Sequence, residues 1–335
     1  MNDILHELER LSQVYGGHTF FRVQDGLGAP SFSFAQTNFA ASALARELRE
    51  RGAKSSSTVV CRLYNGPEAV IAALAAAYGG FDLALVSPRL SDAQYEDCLS
   101  QISEAALTLE EGDFARLMLN ACGSELVEIA SMGADVLSSN DRRLGLAGYR
   151  RARLDAFDPA SSGIVLFAAE GSFDHKAIEL SWERMTASAR EANDQLKAGK
   201  HTVWQLILPL CGVDGFQVMV RSLMNATPFL MYERYSTQRV LNDVLPFKVT
   251  HISVIGTHLR DLLQFDCDAV LCQYQCILLG GGKPSHSLLK AAARVGAHLV
   301  VAHDDAVKAD LVAHGHELGL DCTYDKSYIN LVSNR

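Results

Sequence analysis

The sequence predicts an α/β fold of mostly parallel sheets with helices on both faces, and three observations lead there. Short apolar runs of strand type alternate with helical patterns along most of the chain. No repeat or low-complexity tract interrupts that alternation. The 335 residues, 48% of them hydrophobic, are enough to build one large α/β domain or two packed subdomains.

The first helix is predicted from Thr37 to Arg51, with Thr37 or Asn38 as its cap and Ala41, Leu44 and Leu48 on its inward face. Strand Thr58 to Leu63, helix Pro67 to Tyr78, the stop Gly79-Gly80 and strand Leu83 to Val86 then form a β-α-β unit. Such a unit implies parallel pairing. From Leu109 to Arg153 the pattern weakens. Arg142, Arg143, Arg150, Arg151 and Arg153 lie there beside loop-forming segments and read as a solvated connector. The boundary is therefore placed between a first subdomain, residues 1–155, and a second, residues 156–335.

In the second half, strands are expected at Gly163 to Phe167, Thr202 to Leu208, Pro228 to Met231, Val249 to Val254, Cys276 to Leu279 and His298 to Ala302. Helices are expected at Trp182 to Lys197, Gly215 to Met224, Thr237 to Val244, Thr257 to Gln264 and Ser285 to Val295. A tail helix from Asp304 to Leu318 and an apolar close at Tyr328 to Val332 are predicted to seal the last sheet or to pair with a second copy in a homodimer.

The net charge of −9, with Lys and Arg dispersed, excludes a nucleic-acid footprint. No apolar run reaches the roughly 20 residues that span a bilayer, and the first residues do not read as a secretory signal, so no membrane association and a cytoplasmic location are expected. The eight cysteines sit in apolar segments and read as buried thiols. Neither Cys267, Cys272 and Cys276 nor the histidines and acids from His298 to His316 have diagnostic ligand spacing, so no metal is predicted.

Several segments, in order, resemble the N-terminal domain of the adenylate-forming (AMP-binding, acyl-CoA synthetase) superfamily, nearest to the succinylbenzoate-CoA ligases. These are Phe34-Ala35-Gln36 with Leu44 to Leu48, Tyr64-Asn65-Gly66-Pro67-Glu68 with Tyr78 to Phe81, and Ser87-Pro88-Arg89-Leu90. Further along, Leu208-Pro209-Leu210 with Gly215 and Arg221, and Val249 to Thr257, resemble segments that line the family's acyl pocket, and Leu278 to Gly282 resembles its glycine loop near adenine and acyl group. The resemblance implies acyl-pocket candidates Gly212, Val213, Gly215, Thr257, Gly280, Gly281 and Gly282.

The family's phosphate loop aligns with Ala168 to Ala177, where Gly171, Ser172 and Lys176 remain as a nucleotide-binding remnant and Glu170 and Asp174 introduce two carboxylates. The adenine-stacking tyrosine matches Tyr324, while Tyr328 stands where the family has its metal-binding acid. The chain stops at Arg335, before the family's ribose-binding aspartate, hinge and small C-terminal domain, so the resemblance implies a shortened form.

The family uses ATP, Mg and CoA. With these substitutions the chain is expected to use none of them, to have no catalytic residues of its own, and to act as a pseudoenzyme that recognises an acyl or aryl carboxylate or a partner. The alternatives are a carboxylate-CoA ligase component completed by a partner chain, and an interaction or dimerisation subunit without a ligand.

Overall fold

The computed structural model describes residues 4–24, 30–55, 57–102, 105–110, 112–114, 116–117, 162–170, 174–303 and 322–325. The elements of the amino-terminal half are α1 (Ile4–Val14), β1 (Thr19–Val23), β2 (Ser31–Ser33), α2 (Phe34–Glu50), β3 (Thr58–Arg62), α3 (Pro67–Gly79), β4 (Asp82–Val86), α4 (Asp92–Ser100) and β5 (Ala105–Glu110). There follow β6 (Gly163–Glu170), β7 (Asp174–Ser181), α5 (Trp182–Gln195), β8 (Trp204–Leu206), α6 (Val213–Met224), β9 (Phe229–Met231), α7 (Thr237–Asn242), β10 (His251–Ile255), α8 (Gly256–Phe265), β11 (Cys276–Gly280), α9 (His286–Arg294), β12 (Leu299–His303) and β13 (Cys322–Asp325).

The strands form an eight-stranded sheet, β13-β12-β11-β10-β8-β9-β1-β2, and a five-stranded sheet, β5-β3-β4-β6-β7. Pairing is parallel throughout except in the pairs β1-β2 and β6-β7. The sheets do not follow the expected division at residue 155. The early hairpin β1-β2 completes the sheet of the second half, and β6-β7 completes the sheet of the first.

Period-two alternation places the layers. In β3, Val59 and Cys61 enter the largest core, while Val60 packs into a small cluster with Cys98 of α4 on the opposite face. In β11, Cys276 and Leu278 face the large core, whereas Ile277 and Leu279 join Leu259 of α8 and Leu289 of α9. The large core is thus shared: α1, α2, α3, α5 and α6 lie between the two sheets, with α7, α8 and α9 outside the larger sheet and α4 outside the smaller. Helix α3 is apolar all round and buried continuously from Ala69 to Ala77, as an inner-layer helix must be.

Helix α2 begins earlier than expected because Ser33, not Thr37 or Asn38, is its cap. The Ser33 hydroxyl accepts from Gln36 N at 3.2 Å and the Gln36 side chain accepts from Ser33 N at 2.8 Å, a reciprocal capping box. Thr37 instead donates to the Ser33 carbonyl. The same arrangement, Ser91 with Gln94, starts α4, which the apolar pattern alone did not reveal because it buries only Cys98. Among the described residues no helix is long and apolar enough to cross a membrane. The arginine-rich connector, the tail helix and the apolar close lie outside the described residues.

Candidate functional site

Parallel strands end on a common edge, and in open α/β sheets that edge is where ligands are held. Gly212 follows the end of β8, Thr257 that of β10, Gly280 ends β11 with Gly281 and Gly282 just beyond it, and Tyr324 is next to last in β13, paired with Ala302 of β12. Six of the predicted positions therefore share one edge of the larger sheet.

The carboxyl edge of the smaller sheet meets this edge through Asn65, three residues beyond β3. Its amide donates to the carbonyls of Leu208, at 2.9 Å, and Tyr232, at 3.1 Å, and accepts from Leu210 N at 2.7 Å. The segments after β8 and β9 are thereby joined by a side chain of the other sheet. A second tie lies nearby. Burial raises the Cys211 thiol above its ordinary pKa, while a hydrogen bond with Ser87 and the charge of Arg89, both in the loop after β4, pull it down.

The glycines here have different causes. Gly212 N donates to Pro209 O at 3.0 Å and Gly212 is the N-cap of α6 without a side-chain bond. Val213 opens the helix, half-buried against the large core. At Gly215 an added Cβ would stand 2.2 Å from Pro209 O and 3.0 Å from Leu208 O, so only glycine lets the first turn of α6 lie against this backbone. Gly281 and Gly282 adopt φ of +83° and +103°, and a Cβ on Gly281 would also meet Ile255 at 2.9 Å. Thr257 is exposed in the first turn of α8.

The expected loop Ala168 to Ala177 is mostly ladder. The antiparallel register runs out to Glu170 opposite Asp174, because Ala168 and Ala169 continue the strand and β7 supplies their partners. Lys176 is exposed in β7, opposite Ala168. Gly171 and Ser172 lie outside the described residues. The two acidic residues are therefore direct cross-strand neighbours at the neck of the hairpin. Among the described residues there is no group of three or more His, Cys, Asp or Glu arranged to hold a metal ion.

Two groups escaped sequence reasoning. One is Asn65, quoted only as part of a motif, since nothing in its neighbourhood announces contacts with residues more than a hundred positions away. The other is a buried network on the outer face of the larger sheet. Gln205 donates to Tyr232 Oη at 2.8 Å and Val240 O at 2.9 Å, accepts from Tyr274, and Tyr232 donates to Asp243 at 2.9 Å. Burial holds both tyrosines and the Asp243 carboxyl above their ordinary pKa values, so the phenols stay donors.

Residues 8–143 match the family described as AMP-binding enzyme. The 2-succinylbenzoate–CoA ligase of Staphylococcus aureus is 21% identical over 282 residues, covering 79% of this chain and 55% of the ligase. Over these stretches the chain is similar to the AMP-binding enzyme family. The ligase of the same name from Staphylococcus epidermidis is 27% identical over 150 residues, 44% of this chain and 30% of the ligase. The chain thus spans 30% and 55% of the length of these two ligases. Its fold is like that of the N-terminal domains of adenylate-forming enzymes. The Bacillus subtilis o-succinylbenzoate CoA synthetase in complex with the acyl-adenylate OSB-AMP superposes with a TM-score of 0.68 at 20% identity, over 88% of this chain and 57% of that one. The inhibitor-bound N-terminal domain of FACL13 from Mycobacterium tuberculosis gives 0.72 at 16% identity, over 90% and 76%.

Proposed function

We propose that this AMP-binding superfamily domain recognises an acyl or aryl carboxylate at the joined strand ends and does not adenylate it by itself. The observation that carries the reading is the pairing of Glu170 with Asp174 at the neck of the hairpin aligned with the family's phosphate loop. A carboxylate about 5 Å from one phosphate charge costs roughly 3 kcal/mol at an effective dielectric of about 20, and the aligned stretch carries two acidic residues. Lys176 is the one lysine in β7 to set against them. The residues at this hairpin do not fit ATP with Mg, and no step through either is derived.

The carboxylate half of the reading is supported by the names and ligands of the relatives and by the glycine-lined edge from Gly212 to Gly282. A second reading, a carboxylate-CoA ligase component completed by a partner chain, is favoured by the same relatives, which are ligases. A subunit acting by dimerisation alone is the third.

Thermal melts with 2-succinylbenzoate, a fatty acid, and ATP with Mg separate them. Ligand at a hundred times its Kd adds about 2.7 kcal/mol to the folded state. The proposal expects a rise in Tm with a carboxylate and none with ATP. A rise with both establishes the second reading, and a rise with neither establishes the third.

A further inference from the structure

Asn65 sits in a loop of the smaller sheet, yet its side chain is buried, 8% exposed, against the backbone of the larger one. Its three bonds use both amide hydrogens and the amide oxygen, so no polar group is left over. The bonded groups bracket Pro209: Leu208 O before it and Leu210 N after it. Pro209 O in turn accepts from Gly212 N and lies against Gly215, so the amide, the proline turn and the start of α6 are one chain of contacts. The third bond, to Tyr232 O, spans the gap between the segments that follow β8 and β9, where ladder pairing has ended after Leu206 and Met231.

Backbone groups just past a strand end have no ladder partner, and burying them unpaired is costly. We propose that Asn65 is a positioning residue: by pairing the backbone of Leu208, Leu210 and Tyr232 it fixes the 208–212 turn, and with it the Gly212 end of α6, against the smaller sheet. Asn65 thereby sets the shape of the ligand edge without touching the ligand. The consequence for the ligand rests on the carboxylate-binding reading above, whereas the consequence for the turn does not.

The test is hydrogen exchange on the full chain, with Asn65→Ala and Asn65→Asp. Asn65→Ala removes every bond, and Asn65→Asp keeps the acceptor for Leu210 N while losing the donors. Exchange of the Leu210 to Asp214 amides is expected to rise at least about tenfold in Asn65→Ala, the scale of one buried hydrogen bond, and less at Leu210 in Asn65→Asp. The β11 amides, Cys276–Gly280, should stay at the parental rate. Unchanged exchange at 210–214, or an equal rise in β11, overturns the proposal; if Asn65→Ala does not fold, Asn65→Asp against the parent decides it by the same criterion. Calorimetry with 2-succinylbenzoate runs alongside. A parent that binds and an Asn65→Ala variant at least tenfold weaker supports the ligand consequence, equal affinity overturns it, and a parent that does not bind removes the carboxylate reading while the exchange result still judges Asn65.

Discussion

At Gly215 the first turn of α6 lies so close to the Leu208-Pro209 backbone that a methyl group has no room, its Cβ falling 2.2 Å from Pro209 O. The obstructing atoms are backbone and are held by Asn65, so the clash cannot be relieved by a side-chain rotation. Gly215→Ala is expected to destabilise by about 1–3 kcal/mol, as overpacking typically does. Three residues earlier, Gly212 has φ of −108°, and its nearest obstruction is Pro209 O at 3.4 Å. Gly212→Ala should therefore cost much less. Denaturant midpoints of the two variants check this directly, and equal effects would remove close packing as the reason for Gly215.

The hairpin of β6 and β7 is where a motif and an element coincide. Its register carries Glu170 opposite Asp174, so both acidic residues belong to ladder and not to a freely shaped loop. Neutralising them without altering size, as Glu170→Gln with Asp174→Asn, is expected to raise affinity for ATP or for inorganic triphosphate by at least about tenfold at low salt. The estimated repulsion of roughly 3 kcal/mol per close pair allows more, and screening by salt reduces it. Isothermal titration of parent and double variant reads the change. If the affinity of the double variant is no higher, charge at the neck is not what opposes phosphate binding.

For the whole molecule, the decisive fact is that neither sheet is built from one half of the chain. Strand β1, with β2 at its other side, pairs onto β9, and β6 pairs onto β4. Both sheets also bury one face in the same core, where Phe20, Val59, Leu83, Trp204 and Phe229 belong to one cluster. Unfolding is therefore expected to be a single cooperative transition, with calorimetric and van't Hoff enthalpies in agreement. Residues 1–155 and 156–335, expressed separately, should each fail to give a sigmoidal melt, and an independent transition in either would show that the halves fold alone.

Much of this was legible beforehand, because periodicity reports how each element sits on its nearest layer. The all-apolar run of α3 and the parallel β3-α3-β4 unit follow from residue order alone, as does the succession of strands and helices from Trp204 to His303. The ordered motifs likewise pointed to the family that residues 8–143 match. What periodicity cannot carry is partnership at long range. That β1-β2 joins the distant sheet, that Glu170 faces Asp174, and that Asn65 completes the backbone at Leu208, Leu210 and Tyr232 depend on where separate elements come to rest. Local sequence determined which elements form and which faces are apolar, because those follow from side-chain spacing. Only the tertiary structure decided which edges meet, because a buried polar group is satisfied by whatever backbone the packing of both sheets brings within hydrogen-bond reach.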